Sequence, residues 1–243
     1  MRRLFPDPAE TTVAAQLDGY RPWEEAPEGR PRIAVNFATT LDGRAAIGGV
    51  SGPVGSATDT EMLVGLRSRF DAVLIGAGTM RAERYGRFRS KPADREARVA
   101  AGLPADPLLA IVSGHLDLPW EAPAFTEAEG GDVLVLTSSA AAPPELPAPP
   151  RIVRHERFVD VVGALRRMRE EGVRAVLCEG GPGLHDQLQG AGFVDDLFLT
   201  IAPKLAGGEA PRILEGDLPG VVDLELSWLL QDGSELLARY RRR

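Results

Sequence analysis

The sequence predicts an α/β protein with a mostly parallel central sheet, helices on its faces and an antiparallel β-hairpin at the C-terminus. Three observations predict it. Short apolar runs alternate with stretches of helical period, the β-α-β order that a parallel sheet requires. Two of those runs pass directly into glycine-rich segments, Gly76-Ala77-Gly78-Thr79 and Glu179-Gly180-Gly181-Pro182-Gly183, as strand-to-helix turns do. Two final runs, Leu224 to Leu230 and Glu235 to Arg241, meet at Gln231-Asp232-Gly233, a turn sequence that closes a hairpin.

Along the chain, residues 1–31 read as an arm with one short helix, Asp7 to Leu17, punctuated by Pro22, Pro27, Gly29 and Pro31. The arm is expected to pack on its own domain or to join a dimer interface, and residues 32–243 form the main domain. Arg32 to Ala38 reads as a strand. Ala57 to Phe70 reads as a helix, because Met62, Leu63, Leu66 and Phe70 share one face. Asp71 to Gly76, Leu108 to Val112 and Val133 to Thr137 are further strands, and Ala140 to Pro150 is a surface connection. Val159 to Glu171 is amphipathic, with Val162, Leu165 and Met168 on one side, and predicts a helix. Val173 to Cys178 is a buried strand, Leu184 to Leu188 a short helix, and Asp196 to Ile201 the strand before the hairpin.

Composition narrows the function class. The chain has 243 residues, 44% hydrophobic and 26% charged, the mix of a globular enzyme. Its formal net charge of -7 argues against nucleic acid as a partner, since phosphate neutralisation needs a basic surface. Cys178 is the only cysteine, so no intrachain disulfide forms and no cysteine-based metal site is expected. No apolar run approaches the ~18 residues of a membrane span, and Pro6, Asp7 and Pro8 break any signal-peptide core. A cytoplasmic protein with no metal and no membrane contact is the expectation. His115, His155 and His185 are scattered, and Arg241-Arg242-Arg243 reads as a solvated tail.

Several segments suit a phosphate-bearing ligand. Glycines at 76 and 78, and again at 180, 181 and 183, let backbone N–H groups approach a phosphate, and a following helix adds its positive end. Arg81 stands where a standard dinucleotide fingerprint would place its third glycine. Thr39-Thr40-Leu41-Asp42-Gly43 follows the first main-domain strand, with Asp42 a natural turn former, and Ser51-Gly52-Pro53-Val54-Gly55-Ser56 is a polar loop in which Ser56, or Thr58 beyond it, can cap the next helix.

Taken together, Thr40-Leu41-Asp42-Gly43, Leu66-Arg67 with Asp71-Ala72, the two glycine segments, and Val194-Asp195-Asp196-Leu197 with Ala202-Pro203-Lys204-Leu205 resemble the pyrimidine reductase of bacterial riboflavin biosynthesis. That enzyme is the C-terminal domain of a bifunctional deaminase-reductase with a dihydrofolate-reductase-like fold, and the resemblance spans about residues 32–243. It implies hydride transfer from NADPH to the ribose C1′ of an aminopyrimidine ribosyl 5′-phosphate, in a homodimer. It further implies cofactor contacts from Ala38, Thr40, Pro53, Gly55, Gly76, Gly78, Thr79, Gly180, Gly181, Pro182, Gly183 and Leu184. Asn36, Ser51, Arg67, Arg87 and Glu179 would face the substrate, with Glu83 and Asp42 as catalytic carboxylates.

The departures matter equally. Asn36 replaces the family's lysine, Glu83 its aspartate, and Pro53-Val54-Gly55-Ser56 its Trp-Ile-Thr-Ser; Arg87 and Arg89 compete for one substrate arginine. The residues of the family's zinc deaminase are missing. A dihydrofolate or pterin reductase, or an NADPH-binding protein without turnover, are the alternatives these departures leave.

Overall fold

The computed structural model describes residues 1–243. The chain begins with β1 (Arg2–Phe5), β2 (Ala9–Glu10), α1 (Val13–Leu17), β3 (Arg32–Thr40), α2 (Ala57–Arg67), β4 (Ala72–Gly76), α3 (Ala77–Glu83) and α4 (Pro92–Ala100). It continues through β5 (Leu108–Val112), α5 (Pro123–Thr126), β6 (Val133–Thr137), β7 (Arg151–Arg154), α6 (Val161–Glu170) and β8 (Ala175–Cys178). It ends with α7 (Pro182–Gly190), β9 (Val194–Ala202), β10 (Leu224–Asp232) and β11 (Glu235–Arg242). Contacts divide it into two compact units, one of residues 1–21, 33–66 and 178–243, the other of residues 22–32 and 67–177.

In the first unit the strands lie in the order β2-β1-β10-β11-β9-β3. Only β3 and β9 run parallel, and their register sets Thr40 opposite Ala202. The segments that follow both strands therefore leave the sheet at the same end. The expected hairpin is β10–β11, paired from Leu224 with Arg242 to Asp232 with Glu235.

The arm departs from its expected form. Pro6 and Pro8 cannot donate to a helix ladder, so residues 2–10 become two short strands, with β1 pairing along β10. The helix starts only after Thr12, whose Oγ1 accepts a hydrogen bond from the Ala15 N–H at 3.1 Å. Residues 1–21 are thus woven into the first unit. The terminal arginines differ too, because β11 extends through Arg242.

A buried charge cluster fastens the arm. Asp196 on β9 is fully buried and accepts from Arg239 Nη2 at 2.8 Å, Arg239 Nε at 3.0 Å and the Tyr20 hydroxyl at 3.3 Å. The Arg239 guanidinium also lies 4.3 Å from the Tyr20 ring centroid and 5.7 Å from that of Phe198. Ion pair, hydroxyl and cation–π contact satisfy one another at a place where any one alone would be costly.

The second unit carries the order β8-β4-β5-β6-β7, with β4 to β7 joined by parallel ladders. Its strands are apolar without alternation because both faces are covered: Val73, Ile75, Leu109, Ile111, Val133 and Val135 pack with Met80 and Phe125 on one face, and Leu74, Ala110 and Leu134 are buried on the other. The strand β7 follows directly on the expected 140–150 connection and has no counterpart among the strands read from the sequence. Arg151 to Arg154 extends along β6, an edge position that the exposed residues of Arg-Ile-Val-Arg suit. Buried charge again secures loops here. Arg98 is 2% exposed and donates to the carbonyls of Pro104, Ser68 and Phe70, each at 2.9 Å. Asp71 accepts from the N–H groups of Arg174 at 3.1 Å and Ala175 at 2.9 Å.

Truncating Asp196 leaves Arg239 buried without its carboxylate. Asp196→Ala is expected to lower the unfolding free energy in urea by about 3–5 kcal/mol. Arg241→Ala, whose partly exposed side chain lies 3.9 Å from the same carboxylate, is expected to cost under about 1 kcal/mol.

Candidate functional site

The β3–β9 register gathers three loops of the first unit: residues 41–44 after β3, residues 51–56 before α2, and residues 203–208 after β9. Asp42 joins the first to the third. Its carboxylate accepts the Thr40 hydroxyl at 2.6 Å, the Gly207 N–H at 2.7 Å and the Ala206 N–H at 3.1 Å. Those three donors hold the carboxyl well below the ordinary carboxylate range. The Thr40 hydroxyl accepts in turn from the Arg44 N–H at 2.9 Å.

Lys204 joins the third loop to the second. Its ammonium donates to the Pro53 carbonyl at 2.7 Å and the Val54 carbonyl at 2.9 Å, while its own carbonyl accepts from the Leu41 N–H at 2.9 Å. Val54 is fully buried, and the Ser56 hydroxyl donates to Glu235 at 2.5 Å while capping α2 through the Thr58 N–H at 3.1 Å. Ser56 is thus the cap that the sequence offered. Burial pushes the Glu235 carboxyl up, with the nearby Asp59 adding to the shift, and Asp59 is itself raised by burial.

The Glu179–Gly183 segment is the turn into α7 expected from its glycines. Gly180 sits at φ +98°, a conformation that favours glycine, and the Gly180–Gly181 peptide is cis. Gly181 is the N-cap and Pro182 occupies the first helical turn, where its missing N–H costs nothing. Gly183 is exposed, with open space where a Cβ would stand. Helix α7 is anchored behind this turn by His185, 2% exposed, with Nδ1 2.6 Å from the Ile213 carbonyl and Nε2 3.1 Å from Gln189 Nε2. A neutral ring donating from Nδ1 satisfies both contacts, and burial pushes its pKa down. The His185 ring centroid lies 5.2 Å from that of Phe37 on β3, so this histidine packs the helix onto the sheet. Asn36 and Ala38 are half-buried on β3, whereas Ser51 and Pro53 are exposed.

In the second unit Gly76-Ala77-Gly78-Thr79 is not a glycine loop. Gly76 is the N-cap of α3 at an ordinary extended φ of -84°, and Ala77, Gly78 and Thr79 are its first turn. Gly78 is exposed, Thr79 is half-buried, and Glu83 closes the helix, half-buried, ahead of Arg84 in the left-handed region. Arg67 lies over two rings, 4.7 Å from the Phe88 centroid and 5.3 Å from that of Tyr85.

Three of the expected site residues are engaged by other groups of the chain. Asp42, expected as a catalytic carboxylate, joins two loops. Thr40, expected at the cofactor, has its hydroxyl in the same set of hydrogen bonds. Arg87, expected at the substrate, donates to the carbonyls of Ala148 at 3.1 Å, Ala124 at 3.2 Å and Gly131 at 3.3 Å. It lines a cleft of about 800 Å³ with Asp71, Leu108, Asp132 and Val133 at the N-terminal ends of the strands. Its competitor Arg89 pairs with Glu129. Lys204 stood in the sequence as part of Ala202-Pro203-Lys204-Leu205 without a role of its own, although Lys91 and Lys204 are the only lysines among 28 basic residues. Glu235 and Asp59 carried no such signal. Cys178 is fully buried, which pushes its thiol up to about 12 and removes it as a nucleophile.

A family model described as the RibD C-terminal domain matches residues 31–238. The 2,5-diamino-6-ribosylamino-4(3H)-pyrimidinone 5′-phosphate reductase of Methanothermobacter thermautotrophicus is 29% identical over 221 residues, covering 87% of this chain and 98% of that protein. The riboflavin biosynthesis protein RibD of Mycobacterium tuberculosis is 30% identical over 209 residues, and the match covers 84% of this chain but 51% of RibD. Among solved structures, a pyrimidine reductase-like protein from Corynebacterium diphtheriae superposes with a TM-score of 0.81 at 24% identity, covering 96% of this chain and 99% of that one. The α/β class expected from the sequence therefore holds.

The latch has an acid signature. The lowered Asp42 carboxyl stabilises the fold fully above its ordinary value of 3.8, and that contribution is lost as pH falls below it toward the folded value. Wild type is expected to have a higher thermal midpoint than Asp42→Asn at pH 6. The gap should narrow steadily on acidification below pH 4, and a gap independent of pH would assign Asp42 no ionic role.

Proposed function

This chain belongs to the RibD C-terminal domain family, and we propose that it is an NADPH-dependent reductase. Its substrate is an aminopyrimidine ribosylamino 5′-phosphate, reduced from ribosyl to ribityl in riboflavin biosynthesis. The observation that carries this reading is the extent of the match, which covers 98% of an archaeal reductase named for that substrate class.

The residues present fit such a cofactor. A helix start whose exposed Gly183 leaves room above it, preceded by Gly180 and Gly181, suits a phosphate through backbone N–H groups and the helix dipole. Ala38, Pro53, Gly55, Thr79 and the 180–184 turn, Leu184 included, are the cofactor contacts in this reading. When bound, NADPH supplies the hydride for the ribose C1′. Glu83 donates the proton at the departing ring oxygen, one methylene further from its backbone than an aspartate would be. Glu179 accepts from the pyrimidine N–H groups and so orients the ring. Arg67, stacked on Tyr85 and Phe88, and Ser51 face the substrate in this reading. The resemblance also supports a cytoplasmic homodimer, and no helix is long and apolar enough to cross a membrane.

A second reading, reduction of dihydrofolate or another pterin, is favoured by Asn36: a neutral, half-buried side chain stands on β3 where the resembling reductases carry a lysine. NADPH oxidation measured side by side with the diaminopyrimidine ribosyl phosphate, its deaminated form and dihydrofolate separates the two. Turnover of a pyrimidine supports the proposal. Turnover of dihydrofolate alone replaces it with the second reading, and turnover of none removes both. On the productive substrate, Glu83→Gln is expected to lower kcat by roughly 100-fold while the Kd for NADPH stays within about twofold. An unchanged kcat takes Glu83 out of the mechanism.

A further inference from the structure

The loop Ser51–Ser56 is held from one side by a single cation. The Lys204 ammonium contacts two successive carbonyls, Pro53 at 2.7 Å and Val54 at 2.9 Å. A peptide group is planar and trans, so its C=O and N–H point in opposite directions. With the Val54 carbonyl turned onto Lys204, the N–H of the same peptide, which belongs to Gly55, is turned away from it. The Val54 N–H is meanwhile occupied by the Ser51 carbonyl at 2.9 Å. Gly55 is therefore the residue of this turn whose donor the lysine aims.

The surroundings keep that orientation single. Val54 is fully buried, so the turn cannot roll about its own axis without exposing an isopropyl group. Ser56, one residue on, is tied to Glu235 at 2.5 Å. A Cβ on Gly55 would overlap the Asp59 carboxyl, which explains why glycine stands there without any appeal to a ligand. Lys204 is itself fixed at its backbone, its carbonyl accepting from Leu41 and its N–H donating to Ala202 at 2.8 Å. A compact ammonium can serve two converging carbonyls as a point charge, a task for which the broad planar fork of arginine is less suited. One of only two lysines in the chain occupies this position.

We infer that Lys204 is a positioning residue for the cofactor: by holding the Pro53 and Val54 carbonyls it directs the Gly55 N–H toward an acceptor oxygen of the bound nicotinamide dinucleotide. The inference rests on the proposed NADPH site, in which Pro53 and Gly55 are contacts. It requires Lys204 to act through the loop, not by touching the cofactor or the substrate itself. Loss of the ammonium frees two carbonyls and lets the 54–55 peptide rotate, so one aligned donor is lost from the cofactor site.

The test compares wild type, Lys204→Met, Lys204→Arg and, as a control distant in sequence, Lys91→Met. NADPH binding is followed by fluorescence titration, turnover by steady-state kinetics, and loop order by amide exchange over residues 50–60 without cofactor. Lys204→Met is expected to raise the Kd for NADPH roughly tenfold, the scale of one charge-assisted hydrogen bond. It should also speed exchange within that peptide alone and leave the substrate KM at saturating NADPH within about twofold. Lys204→Arg should recover part of the affinity, and Lys91→Met should match wild type. Wild-type affinity in Lys204→Met overturns the inference while leaving the proposed function intact. Faster exchange throughout the chain, with loss of substrate and cofactor affinity together, assigns Lys204 to general stability and also overturns it. Failure of wild type to bind NADPH removes the proposed function, and the inference with it.

Discussion

The parallel pairing of β3 with β9 is the constraint on which the first unit's loop architecture depends. Its register brings Thr40 beside Ala202, and everything that follows either strand must then emerge at one end of the sheet. Two short polar loops meeting there would expose many unsatisfied backbone groups. The chain answers with two crossing latches, the Asp42 carboxylate onto the 206–207 N–H groups and the Lys204 ammonium onto the 53–54 carbonyls. One latch uses an anion to gather donors and the other a cation to gather acceptors. The Lys204 latch draws the Val54 carbonyl to one side, so the Gly55 N–H of the same planar peptide points away from the ammonium.

Charge in this protein is largely an architectural material. Asp196 with Arg239 ties the arm to the sheet, Asp71 gathers the N–H groups that open β8, and Arg98 and Arg87 gather carbonyls from chain segments far apart in sequence. In each case one side chain satisfies two or more backbone or side-chain partners, which offsets its desolvation. Such residues have the same letters as catalytic and substrate-binding groups. A carboxylate whose accepting positions are occupied and whose proton affinity is lowered, as at Asp42, is a poor proton donor and a good clamp.

Much of the fold is legible in the sequence, because periodicity and turn chemistry act locally. The buried strands β4, β5, β6 and β8 announce themselves as Val-, Ile- and Leu-rich runs, and the hairpin by Asp232-Gly233. The glycine turn before α7 was equally visible. The elements that escaped are those whose local signal competes with another. Arg151–Arg154 carries as much charge as apolar surface and becomes a strand only because β6 offers it a free edge. Arg2 to Phe5 of the arm pair with β10, more than two hundred positions away, and Ala9–Glu10 pair back onto them. Gly76-Ala77-Gly78-Thr79 has loop-like composition, yet α3 forms over it.

For the site, motif order was enough to name a family, the glycine turn before α7 and the segments that resemble it, since these depend on residue type at fixed spacing. Which side chains are left to do chemistry depends on distance, and distance is created by folding. Asp42 and Ala206 are separated by most of the chain, as are Lys204 and Pro53, and hydrogen bonds of 2.7 to 3.1 Å between such segments leave no trace in local pattern. The sequence supplied the donors and acceptors; the register of two parallel strands determined which of them are already paired with each other and which remain for a ligand.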